Sequence, residues 1–90
     1  MTYSARLANS YFGEWELYII VSGHADDWPV HCFGRTSPTP TLAERTAALA
    51  GLGYEAADGA AWEWMEMEND YTDAVEFRGS FDVRPIGEAL

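Results

Sequence analysis

Residues 60–76 read AAWEWMEMENDYTDAVE: two tryptophans, two methionines and six acids, with no basic residue among them. The stretch joins the material of a core strand to that of an acidic surface. Successive side chains on a strand point to opposite faces. Strict alternation puts Trp62, Trp64, Glu66 and Glu68 on one face, and Glu63, Met65 and Met67 on the other. Neither face is then uniformly apolar. One bulge at Trp64–Met65 resolves the conflict, because two residues then oppose one on the neighbouring strand and the faces change register. With that bulge Trp62, Trp64/Met65 and Met67 face inward, and Glu63, Glu66 and Glu68 face out. A strand covered on both faces is the alternative.

The flanks extend this reading. Asp58-Gly59 is a turn signal, and a three-residue loop over 58–60 pairs Ala56 with Trp62 and Tyr54 with Trp64 on matching faces. Downstream, 69–73 reads as a turn. Val75, Phe77, Gly79, Phe81 and Val83 then alternate with Glu76, Arg78, Ser80, Asp82 and Arg84. A tight turn at Gly79-Ser80 would set Arg78 beside Phe81 on mismatched faces, so one long final strand is expected, ended by Pro85.

Upstream, residues 2–9 and 14–22 alternate as strands. A three-residue loop Tyr11-Phe12-Gly13 pairs Leu7 with Leu17, Ala5 with Ile19 and Tyr3 with Val21, with Gly13 left-handed. Residues 28–33 form a short strand. Pro29 has no N–H to donate, which places that strand at an edge. Thr41-Leu42-Ala43-Glu44 is a capping box, and a helix follows to about Leu52, stopped by Gly51 or Gly53. The order is β-β-β-α-β-β-β. The fold class is α+β: an antiparallel sheet of about five to six strands with one helix packed on one face, in a single domain over residues 1–90. Trp15, Leu17, Ile19, Leu49, Trp62, Phe77, Phe81 and Val83 are the expected core.

The composition is 48% hydrophobic and 14% aromatic, which marks a folded domain rather than a disordered acidic chain. The net charge is −10, and all five basic residues are arginines. Such a charge repels nucleic acid and anionic membranes and favours basic partners. Cys32 is the single cysteine, so no internal disulfide can form. With no secretory signal or membrane-length apolar run visible, a cytoplasmic location is expected.

Few residues suggest catalysis. His31 and Cys32 are neighbours on a strand and point to opposite faces, so they cannot form a nucleophile–base dyad. Cys32 reads as a buried inert thiol beside Trp28 and Val30. His24-Ala25-Asp26-Asp27 reads as a solvated turn rather than a metal site. Asn69, Asp70 and Asp73 lack the glycine and terminal glutamate of a calcium loop. No pattern calls for a cofactor. Paired carboxylates able to do acid–base work lie on a strand face with no His or Lys beside them.

Three segments carry a resemblance: WELYIIVSG at 15–23, WPVHCFGRTSPTPTLAERTAALAGLGYE at 28–55, and AAWEWMEME at 60–68. Together they resemble an uncharacterised family of small acidic actinobacterial proteins, a domain of unknown function. The resemblance implies no activity, ligand or catalytic residue.

The residues point to a non-enzymatic binding module. Glu63, Glu66, Glu68, Asp70 and Asp73 would present an acidic strand face to a basic protein surface, with Tyr11 and Phe12 as an aromatic contact. Same-face residues two apart lie roughly 6.5–7 Å apart, about the spacing of phosphates along a DNA strand. A DNA-mimic inhibitor of a nucleic-acid-binding enzyme is therefore the alternative. A small-ligand-binding or self-assembling structural protein and a carboxylate hydrolase are further classes. The chain is expected to bind neither nucleic acid directly nor a membrane. A homodimer would form if the final strand left an open edge.

Overall fold

The computed structural model describes residues 1–11, 13–68 and 75–87; of Ser10 and Tyr11 only the backbone is described. Six strands form one antiparallel sheet: β1 (Tyr3–Tyr11), β2 (Glu14–Ile20), β3 (Val30–Cys32), β4 (Tyr54–Ala56), β5 (Glu63–Glu68) and β6 (Val75–Pro85). One helix, α1 (Leu42–Gly51), lies between β3 and β4 in sequence. The α+β class and the element order are those expected.

β1 and β2 pair as their alternation dictates, with Leu7 opposite Leu17 and Ala5 opposite Ile19. Gly13 takes the left-handed conformation at φ 81°. Between Ala8 and Tyr11 the register slips, because Ala8 faces Glu16 but Tyr11 faces Glu14. β1 therefore carries one extra residue there, so the bulge lies in β1 rather than at Gly13, and Tyr11, expected in a three-residue loop, pairs with Glu14 instead. β3 pairs with β2 and forms one edge. The Pro29 carbonyl accepts from Ile19 N at 3.0 Å, a bond that needs no N–H from proline.

β6 is the spine. Val83, Phe81 and Gly79 face Tyr3, Ala5 and Leu7 of β1. On its other side β6 carries two strands end to end: β4 against Val83–Pro85 and β5 against Val75–Ser80. The expected β4–β5 hairpin is therefore absent. β4 and β5 run in the same direction along one edge of β6, and 57–62 is an excursion between them. Ala57 N still donates to Asp82 O at 3.0 Å, and the turn closes with Ala60 N on Ala57 O at 3.1 Å. Matching faces cannot separate the two arrangements, because either pairing satisfies the same alternation. The long final strand is as expected, but it is paired on both sides. Among the described residues, the open edges belong to β3 and to β4 with β5.

α1 begins at the expected capping box. Glu44 N donates to Thr41 Oγ1 at 3.1 Å, and Thr41 N donates to Glu44 Oε1 at 2.9 Å. The helix packs on β2 and β4 through Ala48 and Leu49. The core holds Ala5, Leu7, Trp15, Leu17, Ile19, Leu49 and Val83. Trp62 and Phe81 are only half-buried against it, and Phe77 is 42% exposed. A helix of 10 residues is about 15 Å long, whereas a strand of 11 spans about 36 Å. One such helix cannot roof the whole of β6, so Phe77 lies beyond its cover.

Leu17 is fully buried. Leu17→Ala should cost about 2–5 kcal/mol in urea denaturation, and Phe77→Ala much less. Equal losses at the two positions would contradict this division of the sheet.

Candidate functional site

The 63–68 strand is unbroken: each residue from Glu63 to Glu68 pairs in step with Ser80 to Val75. There is no bulge at Trp64–Met65. Trp62, Trp64, Glu66 and Glu68 share the helix-bearing face after all, and Glu63, Met65 and Met67 occupy the other. The conflict in the pattern is resolved by position along the strand. The tryptophan half lies beside the covered core, and the Glu66–Glu68 half runs past the helix into solvent.

The expected acidic face is therefore divided. Glu66 lies opposite Phe77 and Glu68 opposite Val75, both on the helix side. Glu63 lies opposite Ser80 on the open side, with Met65 and Met67. Asp70 and Asp73 lie outside the described residues, as do Phe12 and the side chain of Tyr11.

The tryptophans pack as a row. Trp62 stacks on Phe81 with ring centroids 4.6 Å apart and planes 9° from parallel. Trp64 lies 6.2 Å from Trp62, and meets Trp15 edge-on at 6.2 Å and 86°. Gly79 makes this row possible. A Cβ built there would stand 3.0 Å from Trp62 and 3.2 Å from Trp64, closer than side chains pack without moving. The Arg45 guanidinium lies over both rings, at 5.1 Å from Trp62 and 5.2 Å from Trp64. Arg45 Nε donates to the Pro40 carbonyl at 2.9 Å, and burial pulls its pKa below the ordinary value. It stays charged, because arginine does not deprotonate in proteins.

Next to this row is a cleft of about 270 Å³ lined by Trp15, Thr39, Trp64 and Phe77. Trp15 is buried and fixed by its indole N–H on Thr36 O at 3.1 Å. Trp64 is 47% exposed, so the cleft opens to solvent. At its outer wall Phe77 N donates to Asn9 Oδ1 at 2.9 Å, which ties the strand there to the β1 bulge.

Glu44, Glu55 and Asp58 are paired with arginines. Glu44 forms a two-pronged pair with Arg35, at 2.6 and 2.7 Å. That pairing, with the Thr41 amide, holds its carboxyl down at about 2. Arg84 binds Glu55 at 2.9 Å and Asp58 at 3.4 Å, and the Glu55 hydrogen bond raises its pKa. Among the described residues, Glu63, Glu66 and Glu68 have no arginine partner; Arg78, beside them on β6, turns to the Met65 sulfur at 3.4 Å. Each of the three is exposed.

Cys32 is exposed, contrary to the buried thiol expected. It sits on an edge strand and on the sheet face without a helix, across from Glu16, and its sulfur lies 4.0 Å from Glu16 Oε2. His31 turns to the opposite face and meets Phe33 at 4.7 Å. His24 precedes a short exposed 3-10 turn at Ala25–Asp27. Among the described residues no group of three His, Cys, Asp or Glu side chains could hold a metal ion, and no helix is long and apolar enough to cross a membrane.

The model of a family of unknown function, DUF6303, matches residues 1–90. The chain belongs to that family. No curated protein and no solved structure matches it. The DUF6303 assignment agrees with the resemblance carried by the tryptophan–glutamate run, and it brings no catalytic residue with it.

Sequence reasoning picked out Glu66, Glu68 and the tryptophans of this DUF6303 chain but not Gly79 or Arg45. Their one signal was a glycine inside an alternating strand, which marks a close approach by a neighbour. Gly79→Ala should push Trp62 and Trp64 off β6, costing about 1–3 kcal/mol and changing the near-ultraviolet circular dichroism. Glu44 supplies a second expectation. Its folded pKa lies below the unfolded one, so its stabilisation is present above about pH 4.5 and fades as pH falls towards 2. Glu44→Gln should lower stability at neutral pH and flatten the acid limb of a stability–pH curve across that window.

Proposed function

We propose that this protein is a non-catalytic binding module that presents the open β5 edge to a basic protein surface. The observation that carries the reading is the partition of the acids. Among the described residues, Glu44, Glu55 and Asp58 are engaged by arginines, whereas Glu63, Glu66 and Glu68 lie together on an edge strand with no arginine partner. Exposed carboxylates on an edge discourage indiscriminate strand pairing. The same charges steer a cationic partner towards that edge. Glu66 and Glu68 share a face roughly 6.5–7 Å apart, which also supports the DNA-mimic form of this reading, in which the partner surface is one that binds phosphates.

The test uses the partner captured on the immobilised protein at low salt. Glu66→Gln with Glu68→Gln should leave the melting curve unchanged and weaken binding about tenfold, chiefly through a slower on-rate, with wild-type affinity falling steeply as salt rises. Competition by duplex DNA would mark the mimic form. A double variant that binds as tightly as wild type at low salt overturns the reading.

A further inference from the structure

We propose that the cleft between Trp15, Trp64 and Phe77 seats an arginine side chain of a basic, extended partner segment lying along β5, with Glu66 closing on the guanidinium. The inference rests on the acidic-edge reading and names the group that edge is built to receive.

Three observations converge on a guanidinium. The first is the shape and chemistry of the cleft. It holds about 270 Å³ between three aromatic rings and Thr39, and it opens to solvent along Trp64 and Phe77. Aromatic faces attract cations, and arginine can also stack flat against a ring. The second is that the chain already seats one guanidinium on this same row, because Arg45 lies 5.1 and 5.2 Å from Trp62 and Trp64. The third is Glu66. It follows Trp64 on the same face and pairs across with Phe77, which places it beside two residues that line the cleft, and among the described residues no arginine pairs with it. A carboxylate there can take the two-pronged pairing that guanidinium offers and ammonium does not. The Arg35–Glu44 pair shows that geometry elsewhere in the molecule.

The path of the segment follows from the edge. Among the described residues β5 pairs only with β6, so its outer backbone groups are open to an added strand. A second copy of β5 is a poor occupant. Antiparallel self-pairing in register would bring Glu63 against Glu68, and like charges directly opposite one another are destabilising. A basic strand reverses the sign of every such contact.

The experiment titrates the protein with a capped peptide of alternating arginine and threonine, its citrulline counterpart and its lysine counterpart. Nuclear magnetic resonance follows the indole N–H signals of Trp15 and Trp64 and the β5 amides. The arginine peptide should move these signals and bind about tenfold tighter than the lysine peptide, with the citrulline peptide weaker still. Trp64→Leu and Phe77→Ser should each remove most of that arginine preference while the remaining signals keep their folded dispersion. Phe77 is outside the core, so the second variant stays informative if the first unfolds. The inference is overturned by equal binding of the arginine and lysine peptides, by binding unaffected by Phe77→Ser, or by signals confined to the sheet face without the helix. If Glu66→Gln with Glu68→Gln weakens peptide binding while Phe77→Ser does not, the cleft is wrong and the acidic edge stands. If neither changes it, both fall. Concentration-dependent shifts of the β5 amides without peptide would show self-pairing and overturn the assignment of the edge to a basic segment.

Discussion

Gly79 has no side chain, and Trp62 and Trp64 occupy the space one would fill, 3.0 and 3.2 Å from the missing Cβ. Much of the molecule rests on that notch. It lets β5 run straight beside β6 with its tryptophans folded inward over the spine. It brings Trp62 flat onto Phe81 and Trp64 edge-on to Trp15. It also leaves the tryptophan faces free to take the Arg45 guanidinium from the helix. Helix, central strand and edge strand are thus joined through a residue that contributes space rather than contact.

The second constraint is a mismatch of lengths. The helix is about 15 Å long and the spine about 36 Å. A sheet face that cannot be fully roofed must change character along its strands. On β5 it changes between Trp64 and Glu66, and on β6 between Gly79 and Phe77. The uncovered end carries Trp64, Phe77 and Val75 exposed at 42–47% beside two carboxylates. Apolar surface and charge thus meet at the end of the sheet that the helix does not cover.

Charge is distributed with the same economy. Five arginines are set against 15 acids, and two of them, Arg35 and Arg84, fasten acids of the helix start and of β4. Arg45 is held by aromatic faces and a carbonyl. Among the described residues, the three acids of β5 have no arginine contact, and β5 is an open edge of the sheet. Net charge alone is a solubility device. Its concentration on one edge strand beside an aromatic cleft is the more specific feature.

Local rules made much of this protein legible without coordinates. Period-two alternation determined β1, β2 and β6 and which side chains face inward, down to Leu7 opposite Leu17. Thr41 and Glu44 determined where the helix begins, because a capping box is a contact between residues three apart. Pro29 marked an edge strand by what its nitrogen cannot do. Tertiary structure alone decided the partner of β5. Face matching allows a hairpin with β4 as readily as a ladder on β6, and only the length of β6 and the notch at Gly79 favour the second. The position of the helix decided whether Phe77 would be core or surface, and alternation carries no information about where a roof ends. The division of the acids followed from the same source. Their number is a property of the chain, but which of them meet an arginine depends on how segments fold together, Arg35 onto the start of the helix and β6 onto β4.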